Sequence, residues 1–399
     1  MTGRAGVVII GASLSGLTTA EGLRGEGFAG PITLVGSEDH LPYNRPSLSK
    51  QVLAGQWTTG ETTIRDQEQL DALGVRLLLG KNATAVDLTA RTVTVGRRSI
   101  PFERLVVATG VSARRLPNTE RMTGVHALRT VDDAIALRED LAGAGRVAVV
   151  GAGVLGCEIA ASIRTAGYDV TLVGRSYQPR FGQTGDHVSA MVAMLLREHG
   201  IRMRMGVDVI EVSGHGSVST LRLSDGSLVP ADLVVSAIGC VPVVNWLSDT
   251  GIDLSDGVLC DAHGRAATGV YSVGDVARWF DPVAGVALRV EHQATAIEQA
   301  HAVARLIVTG EQSAPIVPFF WSELFGNRIL VHGRLDPDVP LTVLAGDPAD
   351  RCFVAATIRD GRTTGLIGWN MPREFRQERA RVLEQQTESL ELLKGSPVS

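Results

Sequence analysis

Two glycine-rich turns, each closing an apolar run and opening a helical stretch, limit what this chain can fold into. The first copy reads Val7-Val8-Ile9-Ile10-Gly11-Ala12-Ser13-Leu14-Ser15-Gly16 and the second Val147-Ala148-Val149-Val150-Gly151-Ala152-Gly153-Val154-Leu155-Gly156. Each leads through a helical pattern to nearly the same strand, Ile32-Thr33-Leu34-Val35-Gly36 and Val170-Thr171-Leu172-Val173-Gly174. Glycines permit the tight turn, and the helix N-terminus offers free backbone amides to a pyrophosphate. One strand-turn-helix-strand unit of this kind binds one dinucleotide. Two of them in one chain imply two dinucleotides, and hence electron transfer between them.

The remaining composition narrows the class. A length of 399 residues predicts two or three domains. A hydrophobic share of 44% and a charged share of 20% suit an ordinary globular protein. The net charge of −5 argues against nucleic acid as a partner, which demands a concentrated basic surface. No apolar run approaches the roughly 18 residues of a membrane span, so no membrane partner is expected. Arg4 before an apolar stretch has the look of a secretory leader, but the glycine turn inside that stretch makes it the first strand of the fold. Cys157, Cys240, Cys260 and Cys352 are scattered, which argues against an adjacent redox disulfide and against a cysteine metal site. Isolated thiols suit a reducing cytoplasm. Cys157 opens a helix, so it is either a thiol activated by the helix dipole or a small packing residue.

Thr84–Asp87 and Thr92–Val95 alternate as strands of a small hairpin. Leu105-Val106-Val107-Ala108 reads as a buried strand ending in Thr109-Gly110, and Val131 to Leu141 as a helix. An amphipathic helix is expected from about Asp186 to His199, a strand over Asp232–Gly239, and another over Gly269–Asp275. A further helix is expected from about Glu291 to Ile307. Past Pro315 the chain turns to aromatics, a hairpin at Arg359-Asp360-Gly361-Arg362 and a charged helix from Pro372. The simplest nesting inserts the second unit in the first. Residues 1–116 and 240–314 then bind one dinucleotide, 117–239 bind the other, and 315–399 form an α+β domain.

The segment His40-Leu41-Pro42-Tyr43-Asn44-Arg45-Pro46-Ser47-Leu48-Ser49-Lys50 narrows the reading further. Together with both turns, Ala108-Thr109-Gly110, Leu128-Arg129-Thr130, Val273-Gly274-Asp275 and Phe320-Trp321-Ser322, it resembles the flavin-dependent ferredoxin reductases along the whole chain. These are the putidaredoxin-reductase-like and aromatic-dioxygenase reductase-component enzymes. The resemblance implies an α/β fold of two nested Rossmann-like domains plus a C-terminal α+β domain, the glutathione reductase-like flavoprotein architecture. It also implies FAD on the first unit and NAD(P)H on the second. Hydride passes to the flavin, and single electrons pass on to a small acidic [2Fe-2S] or similar ferredoxin. That ferredoxin serves a haem-thiolate monooxygenase or a ring-hydroxylating dioxygenase. A flavin suits this task because it bridges two-electron and one-electron chemistry.

Carried onto this chain, the resemblance implies residue roles. Gly11, Ser13, Leu14, Ser15 and Gly16 line the FAD pyrophosphate, with Ser13 where the fingerprint has its middle glycine. Gly36 and Ser37 stand where an acid normally holds the ribose; Glu38 either reaches it instead or is a plain surface glutamate. Arg45 and Lys50 follow two prolines, and Lys50 lies against the flavin edge, where an ammonium stabilises the reduced ring. Glu158 pairs with that lysine near the nicotinamide, or else merely offsets a helix dipole. Ala83, Ala108, Thr109, Gly110 and Arg129 contact FAD, and Gly274-Asp275 meets the ribityl chain. Glu291-His292-Gln293 covers the ring, with Gln293 where many relatives carry tryptophan. Trp321 is either further aromatic cover or a core residue.

In the second unit the resemblance implies that Gly151, Gly153 and Gly156, which keep the full fingerprint, bind NAD(P)H with Val154 and Leu155 between them and with Gly239 at the end of a later strand. Gly174-Arg175-Ser176 lacks the acid that binds the NADH 2′-hydroxyl. Arg175 instead suits the 2′-phosphate of NADPH. Arg362, Arg373, Arg376, Arg379 and Arg381 form either a steering patch for ferredoxin or a solvated helix face. Two rivals remain: an NAD(P)H oxidase or diaphorase, which normally needs a cysteine near the flavin, and a redox-sensing flavoprotein like apoptosis-inducing factor.

Overall fold

Both expected apolar runs form strands buried on both faces, as parallel sheets require. Val7 to Ile10 and Val147 to Val150 are almost fully shielded. The computed structural model describes residues 6–182, 184–282 and 284–395; Arg4 lies outside them. The chain divides into two compact units, Met1–Arg114 with Arg129–Ala134 and Gly239–Val317, and Arg115–Leu128 with Ile135–Ile238 and Pro318–Ser399.

In the first unit the strands stand in the order Val75–Leu78, Ile32–Val35, Gly6–Ile10, Arg98–Val107, Val270–Ser272, all parallel. The winding reverses between Gly6–Ile10 and Arg98–Val107, the switch point at which such sheets bind ligands beyond the carboxyl ends of their strands. The amides of Gly11, Ala108 and Val273 donate to Val35, Ile10 and Val107 at 2.7, 2.7 and 3.0 Å. Three strands therefore finish level, and this assembles Gly11, Ala108 and Gly274 at one edge. The helix Leu14–Gly25 packs on the helix Gln293–Thr309.

The second unit repeats the plan: Arg202–Met205, Asp169–Gly174, Arg146–Val150, Leu233–Ser236, Val125–Ala127, again parallel. The same unit carries a five-stranded antiparallel sheet and the helix Pro372–Gly395, packed through Phe375 onto Leu330, Val354, Ala356 and Leu366. The Asp360-Gly361 turn joins Cys352–Arg359 to Arg362–Trp369, with φ of 51° and 73°, the left-handed pair a two-residue hairpin needs.

Several boundaries differ from expectation. The strand expected to reach Gly239 ends at Ser236, and the helix expected at Glu291 begins at Gln293 because His292 is extended (φ −125°, ψ 134°). In and just past the His40–Lys50 segment, Arg45–Ser47 and Leu48–Val52 form short helical turns. Cys157 is completely buried, and burial pushes its thiol pKa well up, so it packs the helix Val154–Thr165 and is not an activated thiol.

Burial also holds His332 neutral, its pKa lowered to about 4, with the Arg379 charge acting in the same direction. Arg379 Nε donates to its Nδ1 at 3.3 Å. The unfolded chain takes up this proton near pH 6.5, whereas the folded chain takes it up only near 4. Stability is therefore fully present above the unfolded value and falls as pH drops from about 6.5 towards 4. Urea titrations across that range are expected to show this loss, and His332→Gln to flatten it. Identical pH slopes for both proteins would contradict the assignment.

Candidate functional site

The two turns are superimposable in their constraints. Gly11 and Gly151 have φ of 120° and 110°, and a Cβ on either would fall 2.0 Å from the Ala108 oxygen or 2.1 Å from the Ala237 oxygen. A Cβ on Gly16 or Gly156 would lie 1.8 Å from the carbonyl oxygen of Gly11 or Gly151. No other residue fits. Ser13 and Gly153, at the helix caps, are extended and place no side-chain oxygen on the helix amides. The first turn of each helix thus keeps free N–H groups for an anion.

The repeat also explains the glycine that closes each second strand. A Cβ on Gly36 or Gly174 would come within 2.8 Å of the Ala12 or Ala152 methyl. The alanine that follows each turn glycine fills the room a side chain would need there.

In the first unit a polar hub surrounds the turn. Arg45 donates from Nε to Ser13 Oγ at 3.2 Å, and from Nη1 to Tyr43 Oη and the Arg129 carbonyl at 2.8 Å each. Its Nη2 pairs with Glu38, whose other oxygen accepts from Tyr43 at 2.5 Å. Glu38 is thus no plain surface residue. Burial, opposed by Arg45 and reinforced by the hydrogen bond to Glu38, raises the Tyr43 pKa, keeping the phenol protonated. Arg129 donates to Asp275 Oδ2 at 2.8 Å and to the Val111 carbonyl at 3.1 Å. Tyr43, a partner of both Arg45 and Glu38, carries no role in the sequence reading. Its place inside the proline-flanked segment was the available signal.

In the same unit, Lys50 is half-buried in the turn Leu48–Val52, and Ala83 opens the strand Ala83–Asp87. Thr109 Oγ1 donates to the Val243 carbonyl at 2.7 Å. Ser15 faces Gly274, where a Cβ would meet its hydroxyl at 2.3 Å. Glu291 accepts from Arg289 at 2.5 Å and from Cys240 Sγ at 2.8 Å, and the thiol pKa is pushed up to about 12, first by burial. Burial lowers the His292 pKa against the pull of Asp275 and Glu291. Gly239 falls in this unit and accepts the Arg114 amide at 2.9 Å. Asn44 Oδ1 and Thr295 Oγ1 are buried polar atoms with no hydrogen-bond partner among the described residues, as groups awaiting a ligand are. Cradle, free amides and orphaned atoms together fit a dinucleotide.

In the second unit Glu158 is buried and accepts from Ser322 Oγ at 2.6 Å, so it does more than offset a dipole. Gly153 bridges to Arg180. Arg175 is 80% exposed at the strand end and lies 3.2 Å from Asp208. Trp321 packs against the core of the antiparallel sheet, with the Arg328 guanidinium 5.9 Å from its ring centre. Among the expected basic patch, Arg379 turns onto Phe319 (4.8 Å) and Arg381 pairs with Glu378 at 2.6 Å.

The pyridine nucleotide-disulphide oxidoreductase family model matches residues 5–304. The chain belongs to that family. It is 35% identical over 374 residues to the chlorobenzene dioxygenase ferredoxin reductase component of Cupriavidus sp. (strain PS12), covering 92% of this chain and 90% of that one. It is 35% identical over 377 residues to a ferredoxin–NAD(P)(+) reductase of Sphingomonas sp, covering 93% and 91%. Among solved structures, the covalent putidaredoxin reductase–putidaredoxin complex matches with TM-score 0.90 at 29% identity, covering 96% of this chain and 93% of the other. The nested α/β flavoprotein architecture and the oxidoreductase class follow. Within a family named for disulphides, this chain's four cysteines are all free.

Proposed function

We propose that the protein is an NAD(P)H-dependent, FAD-containing ferredoxin reductase, supplying electrons through a ferredoxin to a dioxygenase or monooxygenase. The duplicated cradle carries this reading: two dinucleotide sites, of which only the first adds the Arg45–Glu38–Tyr43 hub and the Arg129–Asp275 pair. FAD, when bound, accepts a hydride and releases single electrons. Gly11, Ser15, Gly16 and the free helix amides bind its pyrophosphate, Arg45 fixes Ser13 beside them, and Asp275 keeps Oδ1 to accept a ribityl hydroxyl. Lys50 sets positive charge at the ring edge, and Gly151, Gly153, Gly156 and Glu158 hold the nicotinamide coenzyme. A cytoplasmic setting agrees with four free thiols, and among the described residues no helix is long and apolar enough to cross a membrane. The test is NADH-driven cytochrome c reduction with and without an acidic [2Fe-2S] ferredoxin. A rate that depends steeply on ferredoxin supports the reading; an unchanged rate favours a diaphorase.

Coenzyme choice falls to Arg175, the cation where an acid would favour NADH. Losing one charge-assisted contact costs about 1.5–3 kcal/mol, and its exposure places it at the lower end. Arg175→Ala is therefore expected to lower kcat/KM for NADPH about tenfold, leaving NADH nearly unchanged. Asp208→Asn should move the ratio the other way, since its carboxylate neutralises Arg175 and repels a 2′-phosphate. A ratio that neither variant alters would contradict the assignment.

A further inference from the structure

One cavity of the first unit lies apart from the glycine turn. It has a volume of about 460 Å³ and is lined by Arg91, Arg104, Arg265, Gly269 and Tyr271 among others, with no carboxylate in its wall. Gly269 and Gly274 flank the same strand, so the cavity opens at the end of Val270–Ser272 opposite the turn.

Its arginines are arranged against their own electrostatics. Arg91 Nη1 and Arg104 Nη1 both donate to the Glu103 carbonyl, at 3.1 and 3.0 Å. Sharing one acceptor bounds the separation of these two cations to about 6 Å. Neither is ion-paired among the described residues. Arg265 is only loosely held, 3.7 Å from Asp261. Arg91 has φ of 54°, a left-handed conformation that side chains other than glycine and asparagine seldom adopt. Three cations therefore face one concave space, each with guanidinium N–H groups to spare. Such forks match phosphate oxygens in pairs, and the volume suits a small ligand.

We propose that this cavity is a further anion site that binds a pyrophosphate group through Arg91, Arg104 and Arg265. Free pyrophosphate and the diphosphate of a nucleotide share that chemistry.

Calorimetric titration of the FAD-loaded protein, saturated with NAD+ so that both turns are filled, tests the site with pyrophosphate and with ADP. One further equivalent of pyrophosphate should bind. The Arg91→Gln/Arg104→Gln variant should bind it at least about tenfold more weakly for each arginine removed, with NADH-driven flavin reduction unaltered. ADP binding more tightly than pyrophosphate would identify a nucleotide as the source; weaker binding would identify the free anion. If the double variant fails to fold, Arg265→Gln and Arg104→Lys provide the same comparison. Equal affinity in wild type and variants, or no heat with either anion, would overturn the proposal.

Discussion

Gly16→Ala is expected to give colourless protein, whereas Gly156→Ala should stay yellow and fail to be reduced by NAD(P)H. In each case the new methyl would lie 1.8 Å from the carbonyl oxygen of the turn glycine, against backbone that cannot yield. The helix must then retreat by more than an ångström, withdrawing the amides proposed to bind the pyrophosphate. A misplacement of that size costs about 100-fold or more. For Gly16→Ala the loss falls on flavin affinity, read from absorbance after dialysis. For Gly156→Ala it falls on kcat/KM for the coenzyme, while dithionite still bleaches the flavin. The reverse pairing would show that the two units hold the opposite cofactors.

Arg45→Ala should show the other large effect. The guanidinium joins Ser13, Tyr43, Glu38 and the Arg129 carbonyl, so its removal strands a carboxylate and a phenol that share a proton donor. Breaking a fully buried pair costs about 3–5 kcal/mol. Here the two side chains keep 21% and 24% of their surface, and about 2 kcal/mol is the expected loss of unfolding free energy, by the same principle after discounting for solvent. Flavin occupancy should fall with it. Arg45→Lys should recover little, because a single ammonium cannot serve four partners in a plane. Urea curves with the same m-value and midpoint as wild type would contradict the hub's importance.

What the sequence discloses and what it conceals follows from distance along the chain. The turns are legible because their demand is local: a missing Cβ, an apolar run and a helix start within ten residues. The strand Thr92–Val95 and the hairpin at Asp360-Gly361 are legible for the same reason, through alternation and turn chemistry. The hub's link to Arg129 and the Glu158–Ser322 contact are not, since Arg45 meets Arg129 across 84 positions and Glu158 meets Ser322 across 164. Tyr43 looks apolar until its hydroxyl is placed. Gly36 and Gly174 read as departures from a fingerprint. In space they are the complement of Ala12 and Ala152, a steric fact that no pattern of charge could convey. Arg379 illustrates the opposite error: a cation counted with a surface patch lies half-buried against Phe319 and His332.

The central claim is that one unit holds a flavin, the other the nicotinamide that reduces it, and that the electrons leave to an iron–sulfur protein. Anaerobic stopped-flow mixing of the FAD-loaded protein with NADH, followed by oxidised ferredoxin, tests it directly. The flavin absorbance should bleach within the turnover time and return on adding ferredoxin, with the ferredoxin reduced in step. A flavin that NADH and NADPH both leave oxidised, or one that bleaches but never passes electrons to ferredoxin, would contradict the account.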